Sequence, residues 1–359
     1  DGNLRIHARI KNSVSDSVSV RKNNPITHTY THTDTFSNWG EAKIIDAGKK
    51  DGYNPSIIFT NSGEIIAVWC QWEKTNVKSY TNIYRKGAGW SKAERLENKE
   101  GETCGVRVAS GADGKVIAIF EQEQDSRFKI QDSRPTNRIF AVEYIVNSQS
   151  SIVNRQSEEN YTIRRLTSGD REDYYAEFSP DGKMIVFVSK GKYSNLYIMD
   201  AAGKNMRQLT SGDVIDTAPV FTSDGGRIIF ASNRTDESLP LNDSIRGWDI
   251  WSINTDGAGL TRLTNDKTNE LAPRTTSDGN NIVFVSTAGG DHAIWSMDIN
   301  GENKKRLTSG GTGDWFPAMN PDGKEVVFVS TRLGNGDVWT INSLDKKYHR
   351  LTYTDLPEF

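Results

Sequence analysis

The sequence has little of what marks a nucleophilic or metal-dependent enzyme. There are two cysteines, Cys70 and Cys104, in 359 residues. Two thiols exclude a disulfide framework and a four-cysteine zinc site. A single bridge between them stays open, and it would imply export. Histidine is scarce, at five. His28 and His32 sit in "THTYTHT", where strand alternation puts them on one face with Tyr30 and Asp34. Four strand residues separate backbones by about 13 Å, too far to share one metal ion held at about 2 Å. This stretch reads as a polar outer strand. His7, His292 and His349 have no companions in sequence, so a histidine-ligated metal is not supported. No apolar run approaches the ~18 residues of a membrane helix. Net charge is only −3, with acids and bases interspersed, so no basic face points to nucleic acid. No Gly-x-Ser-x-Gly elbow is present, and nothing marks a Ser/His/Asp triad. Helical periodicity is missing throughout. Asp1 is not an initiator methionine, which suggests a processed or trimmed end.

What is there is a repeat. The turn "SPDGK" at 179–183 returns as "TSDGG" (222–226), "TSDGN" (276–280) and "NPDGK" (320–324). The aspartates at 181, 224, 278 and 322 are 43, 54 and 44 residues apart, and the long interval holds the polar insertion "NRTDESLPLNDSIRG". Each unit has a short strand, an Asp-Gly hairpin turn, and an apolar strand such as "MIVFVS" or "RIIFAS". An alternating strand such as "DIWSIN" follows, then a closing "RLT". The second strand is apolar on both faces, as a strand buried between neighbouring sheets must be. Four strands in about 44 residues, repeated, indicate a β-propeller, whose closure removes exposed sheet edges.

The N-terminal half carries diverged copies. One unit spans about 54–97 with the turn "TNSGE", and another spans 104–167 with two polar insertions. Six complete units result: 54–97, 104–167, 174–210, 217–264, 271–308 and 315–352. Residues 1–46 and the stub "DLPEF" (355–359) remain. Set end to end they read "PEF–DGNLRIHARI", matching "AEFSPDGKMIVFVS" with two residues absent. The expectation is one all-β domain over 1–359, a seven-bladed propeller whose closing blade is built from both termini. Residues 356–359 would pair alongside 3–10. Six blades is the fallback.

Residues 160–352 resemble the TolB/tricorn type of propeller repeat. The resemblance is carried by the frame "LT…P.FSPDG..I.F.S…DIW..D..G….RLT", clearest at 163–210 and 305–352. Residues 37–120 are similar to a repeat of bacterial secreted and surface propellers, through "WGEAKIID" and "GWSKAERLE". The resemblance implies the fold. It does not imply one function, because propellers serve as binding scaffolds, peptidase gates, hydrolases and lyases.

Propellers bind on the face around the central channel, through the loops that lead into each innermost strand. Here Glu102, Asp173, Asp216, Glu270 and Asp314 stand three residues before the Pro, Ala or Gly of that strand. Asp51 and Asp355 fall within one residue of the same register. Such a ring of carboxylates would hold a divalent cation or a basic segment of a partner; alternatively, each braces its own turn. Beside it stand Tyr53, Tyr174, Tyr175, Trp315, Phe316 and Arg171, which differ from blade to blade. Aromatics with an arginine suit a sugar face or a protein hot spot, or else pack between blades. The "SPDG" turns are not sialidase Asp-boxes, since Asp and Gly are adjacent. "DINGEN" (298–303) lacks the twelfth-position glutamate of a calcium loop and reads as a hairpin turn.

The reading is an exported bacterial protein, periplasmic, cell-surface or secreted, that holds a protein or glycan without catalysis and without a required cofactor. The alternative is a polysaccharide-active enzyme, a lyase on an acidic chain.

Overall fold

A computed structural model of the chain describes residues 5–9, 17–21, 43–44, 52–59, 64–73, 76–85, 89–96, 103–110, 116–123, 137–144, 163–234, 247–309, 313–319, 324–334 and 336–351. All regular structure among them is β, and no helix is long and apolar enough to cross a membrane.

Six blades follow in chain order. Blade I is β4 (Gly52–Phe59), β5 (Ile65–Glu73), β6 (Asn76–Arg85), β7 (Gly89–Trp90) and β8 (Glu94–Arg95). Blade II is β9 (Thr103–Ser110), β10 (Val116–Glu123), β11 (Asn137–Tyr144) and β12 (Ile163–Arg165). Blade III is β13 (Glu172–Phe178), β14 (Met184–Lys190), β15 (Ser194–Asp200) and β16 (Arg207–Gln208). Blade IV is β17 (Asp216–Phe221), β18 (Arg227–Ser232), β19 (Asp249–Asn254) and β20 (Thr261–Arg262). Blade V is β21 (Glu270–Thr275), β22 (Asn281–Ser286), β23 (Ala293–Asp298) and β24 (Lys305–Arg306). Blade VI is β25 (Asp314–Met319), β26 (Glu325–Ser330), β27 (Asp337–Asn342) and β28 (Tyr348–Arg350). The first strand of each blade lies against the first strand of the next, from β4 through β9, β13, β17 and β21 to β25, which makes these the inner strands.

The blades are glued face to face. Phe187, Phe230, Phe284 and Phe328 occupy one repeat position in the second strands and are all buried. Each apolar cluster joins two blades: one contains Val186 and Leu196 of blade III with Ile228 and Trp251 of blade IV, another Ile229 and Ile250 with Phe284 and Met297. This is why the second strand is apolar on both sides.

Short hydrogen bonds explain the recurring polar letters. In the Asp-Gly turns, Asp181 accepts from Ser179 Oγ and the Lys183 amide, and Asp224 accepts from Thr222 Oγ1 and the Gly226 amide. Those bonds hold both carboxyls below the usual range. The closing threonine is a strand clamp: Thr210, Thr264 and Thr308 accept from the amides of Leu196, Ile250 and Ile294 at 2.8–2.9 Å. In "DINGEN", Asp298 accepts from the amides of Asn300 and Glu302, so the stretch is a hairpin turn as read.

The count shown is six blades, the lower of the two expected. Residues 1–46 contribute a separate sheet in the order β2 (Ser17–Arg21), β1 (Arg5–Arg9), β3 (Lys43–Ile44). Both edges of β1 are taken at His7 and Ala8, by β2 on one side and β3 on the other. Residues 17–21 pair with β1 along its whole length, a partner that the expected seventh blade did not include. Residues 355–359 and the "THTYTHT" stretch lie outside the described residues. Cys70 is buried in β5, and the side chain of Cys104 also lies outside the description.

Candidate functional site at the mouth of the inner strands

Asp173, Asp216, Glu270 and Asp314 stand at the start of inner strands β13, β17, β21 and β25, as the repeat register requires. They do not form an open ring. Their exposures are 3%, 0%, 1% and 1%. Each is paired across the ladder with the serine that ends the second strand: Ser189, Ser232, Ser286 and Ser330. Ser232 Oγ donates to Asp216 Oδ1 at 2.5 Å, and Ser286 Oγ donates to Glu270 Oε1 at 3.0 Å. A carboxylate taken out of water needs such partners.

Two of the four also hold an arginine from their own blade. Arg234 Nη2 lies 2.6 Å from Asp216 Oδ2, and Arg332 Nη2 lies 3.1 Å from both oxygens of Asp314. These guanidiniums sit over the rings of Trp251 and Trp339, at 5.6 and 5.1 Å. The third strand repeats the device, with Asp249 on Arg262 and Asp337 on Arg350 at 2.6 and 2.5 Å. Blade III recruits its cation from outside: Asp173 faces the charges of Arg138 and Arg171. Arg138 is 2% exposed and donates to the carbonyls of Arg171 and Gly169, tying blade II to the strand-leading loop of blade III. Burial raises the Asp173 and Asp249 carboxyls and lowers Arg138, against the opposing charges.

The expected ring therefore needs correction. The pairing of Thr103 with Gln122 puts Thr103, fully buried, at the carboxylate position of blade II, and Gly52, paired with Gln71, takes it in blade I. Glu102 is one residue out of register, because Gly105 is the bulge residue of β9, with φ 62°. Glu102, Asp51 and Asp355 lie outside the described residues. Among the described residues, no group of three or more His, Cys, Asp or Glu is placed to hold a metal.

The blade-specific residues are arranged differently. The inner strands share a bulge near their start, and in β13, β17, β21 and β25 one residue there adopts positive φ: Tyr175 (53°), Ala218 (49°), Ala272 (49°) and Phe316 (54°). Blades IV and V use alanine there, whereas blades III and VI use an aromatic, which is strained in this region. Tyr175 is 53% exposed, and its ring meets Tyr174 edge-on at 5.1 Å. Its amide donates to Glu121 Oε1 of blade II at 2.7 Å. Trp315 is half-buried with its ring 3.9 Å from His292, and Phe316 is half-buried beside it. Arg171 is exposed, donates to Tyr197 Oη and lies over that ring at 5.7 Å. Tyr53 lies on β4 at the repeat position of Tyr174; its side chain is outside the description. The sequence reading missed Arg138, Arg234 and Arg332. The signal for the last two was the recurrence of Ser-x-Arg after the second strand.

The model of the TolB beta propeller domain family matches residues 173–240 and 249–358. A search of curated proteins found no match. Among solved structures, a similar chain is a prolyl endopeptidase, with TM-score 0.62 and 12% identity. It covers 99% of this chain and 51% of its own. A Mycobacterium tuberculosis puromycin-hydrolyzing peptidase gives TM-score 0.53 and 12% identity, over 88% of this chain and 55% of that one. TolB from Acinetobacter baumannii gives TM-score 0.47 and 19% identity, over 82% and 71%. The chain spans about half the length of those peptidases, and likeness at this identity carries the fold alone. Through blades III to VI, the chain belongs to the TolB-type β-propeller family.

Proposed function

We propose that the protein is an exported, non-catalytic scaffold that holds a protein or glycan on the channel face. One observation carries this reading. Positions that recur between blades are buried and engaged within the fold, while the positions that vary place Tyr175, Trp315 and Phe316 at strained or partly exposed backbone. Strain retained where a sister blade uses alanine points to selection for something other than stability. Flat aromatic faces beside Arg171 suit the ring faces of a sugar or the apolar anchor of a protein segment. Few cysteines among many Asn, Ser and Thr suit an exported chain.

A glycan array and a displayed-peptide library, each probed with wild type and with a Tyr175→Ala/Trp315→Ala variant, test this. The reading expects ligands that the variant binds about tenfold or more weakly, with folding intact. Equal binding by both proteins would remove these residues from the site. Ultraviolet-absorbing unsaturated products from uronic-acid polysaccharides would replace the scaffold with a lyase.

A further inference from the structure

The boundary between blades II and III departs from the repeat at three neighbouring places. The first is in the second strand. At the ladder place of Val188, Ala231 and Val285, which pair with Tyr174, Thr217 and Leu271, blade II carries Glu121, paired with Cys104. The second is the positive-φ place of the inner strand, which in blade II is Gly105, at φ 62°. A Cβ added there would stand 2.4 Å from both Cδ and Oε1 of Glu121. A side chain would push the carboxylate from its seat, so the glycine makes the room that Glu121 occupies. The third is in blade III. In blades IV, V and VI the positive-φ residue is followed by proline: Pro219, Pro273 and Pro317. In blade III, Tyr175 is followed by Ala176.

These departures meet in one contact. Glu121 is half-buried, and its Oε1 accepts from the Tyr175 amide at 2.7 Å, across the blade boundary. A proline ring fixes φ and takes freedom out of the bulge that contains it. Ala176 lacks that constraint, although it is buried as those prolines are. A short hydrogen bond to a carboxylate is among the strong ones, and it holds the bulge where the proline is missing. The rest of the boundary has other ties. Arg107 Nε donates to Glu177 Oε2 at 3.0 Å between the same two inner strands, and Ile119 and Ile139 pack with Ala176 and Phe187 in one buried cluster.

We infer that Glu121 is a positioning residue of the channel face: seated against Gly105, its carboxylate fixes the left-handed backbone of Tyr175 and so presents that ring to the ligand. The ring is 53% exposed at a place where the next two blades carry alanine. Glu121 acts through Tyr175, and the tyrosine is the group that a ligand touches. The inference deepens the aromatic-face reading and rests on it.

Hydrogen exchange at the Tyr175 amide, read by NMR, tests the bond, and the glycan array and displayed-peptide library test its consequence. Glu121→Ala is expected to speed that exchange about tenfold or more, and to weaken the binding seen with wild type about as much as Tyr175→Ala does. Glu121→Gln keeps an acceptor and should stay near wild type in both readouts. Adding Ala176→Pro to Glu121→Ala supplies the constraint of the sister blades and should restore binding, which a general loss of stability would not allow. Unchanged exchange in Glu121→Ala would overturn the inference. So would binding that is lost in Tyr175→Ala but kept in Glu121→Ala, which leaves the aromatic-face reading standing. No wild-type binding, or binding unchanged by Tyr175→Ala, would overturn that reading and the inference with it.

Discussion

Within single repeat positions, burial decides what a carboxylate does. Asp216 is 0% exposed and bonded to Ser232 and Arg234. Replacing it by alanine leaves a buried guanidinium without its partner, which costs about 3–5 kcal/mol. Equilibrium unfolding in urea reads that loss. Glu270 differs because, among the described residues, no cation is paired with it. Its folded pKa of about 7 lies above the unassociated value of 4.5. The fold therefore holds the proton more tightly than the unfolded chain. Its contribution is intact below about pH 4.5 and is lost as pH rises through about 7, by on the order of 3 kcal/mol. Glu270→Gln should flatten that part of the stability–pH curve and make the protein more stable than wild type at pH 8. A variant with the wild-type slope would place the titration elsewhere.

Among whole strands and turns, the repeated letters were legible because each has one mechanical task. The apolar second strand is pressed between two blades, so "IVFVS" reads as buried on both faces, and Phe284 at 1% exposure agrees. Phe284→Ala is expected to cost about 3–5 kcal/mol. The closing threonine bonds the third strand, so Thr264→Val should cost about 1 kcal/mol and speed hydrogen exchange at the Ile250 amide. What the letters hid was register. Counting back from a Pro, Ala or Gly found Asp173, Asp216, Glu270 and Asp314. It failed at Glu102 because Gly105 holds the positive-φ place of Tyr175 and Ala218, one residue before the place of Ala176 and Pro219 from which the other counts start. Exposure was hidden too: an acid in a polar loop looks solvated until Ser232 and Arg234 are seen to cover it.

For the whole molecule, the repeat made the propeller legible from turns and strand patterns alone. The blade count was not: six blades are found, and matching the two chain ends to the repeat template did not foresee β2 beside β1. Residues 17–21 pair with β1, and a partner so near in sequence closes at less entropic cost than a distant one. The ring divides its labour: recurring carboxylates brace the strands of their own blades, while the Tyr175 ring stands largely outside the buried core. Tyr175 stands where Ala218 and Ala272 stand in the next two blades, all at positive φ. The most direct measurement is the melting temperature of Asp216→Ala and Tyr175→Ala side by side. The account predicts a fall of roughly 5 °C or more for Asp216→Ala and no loss for Tyr175→Ala. A large fall for Tyr175→Ala with little change for Asp216→Ala would contradict it.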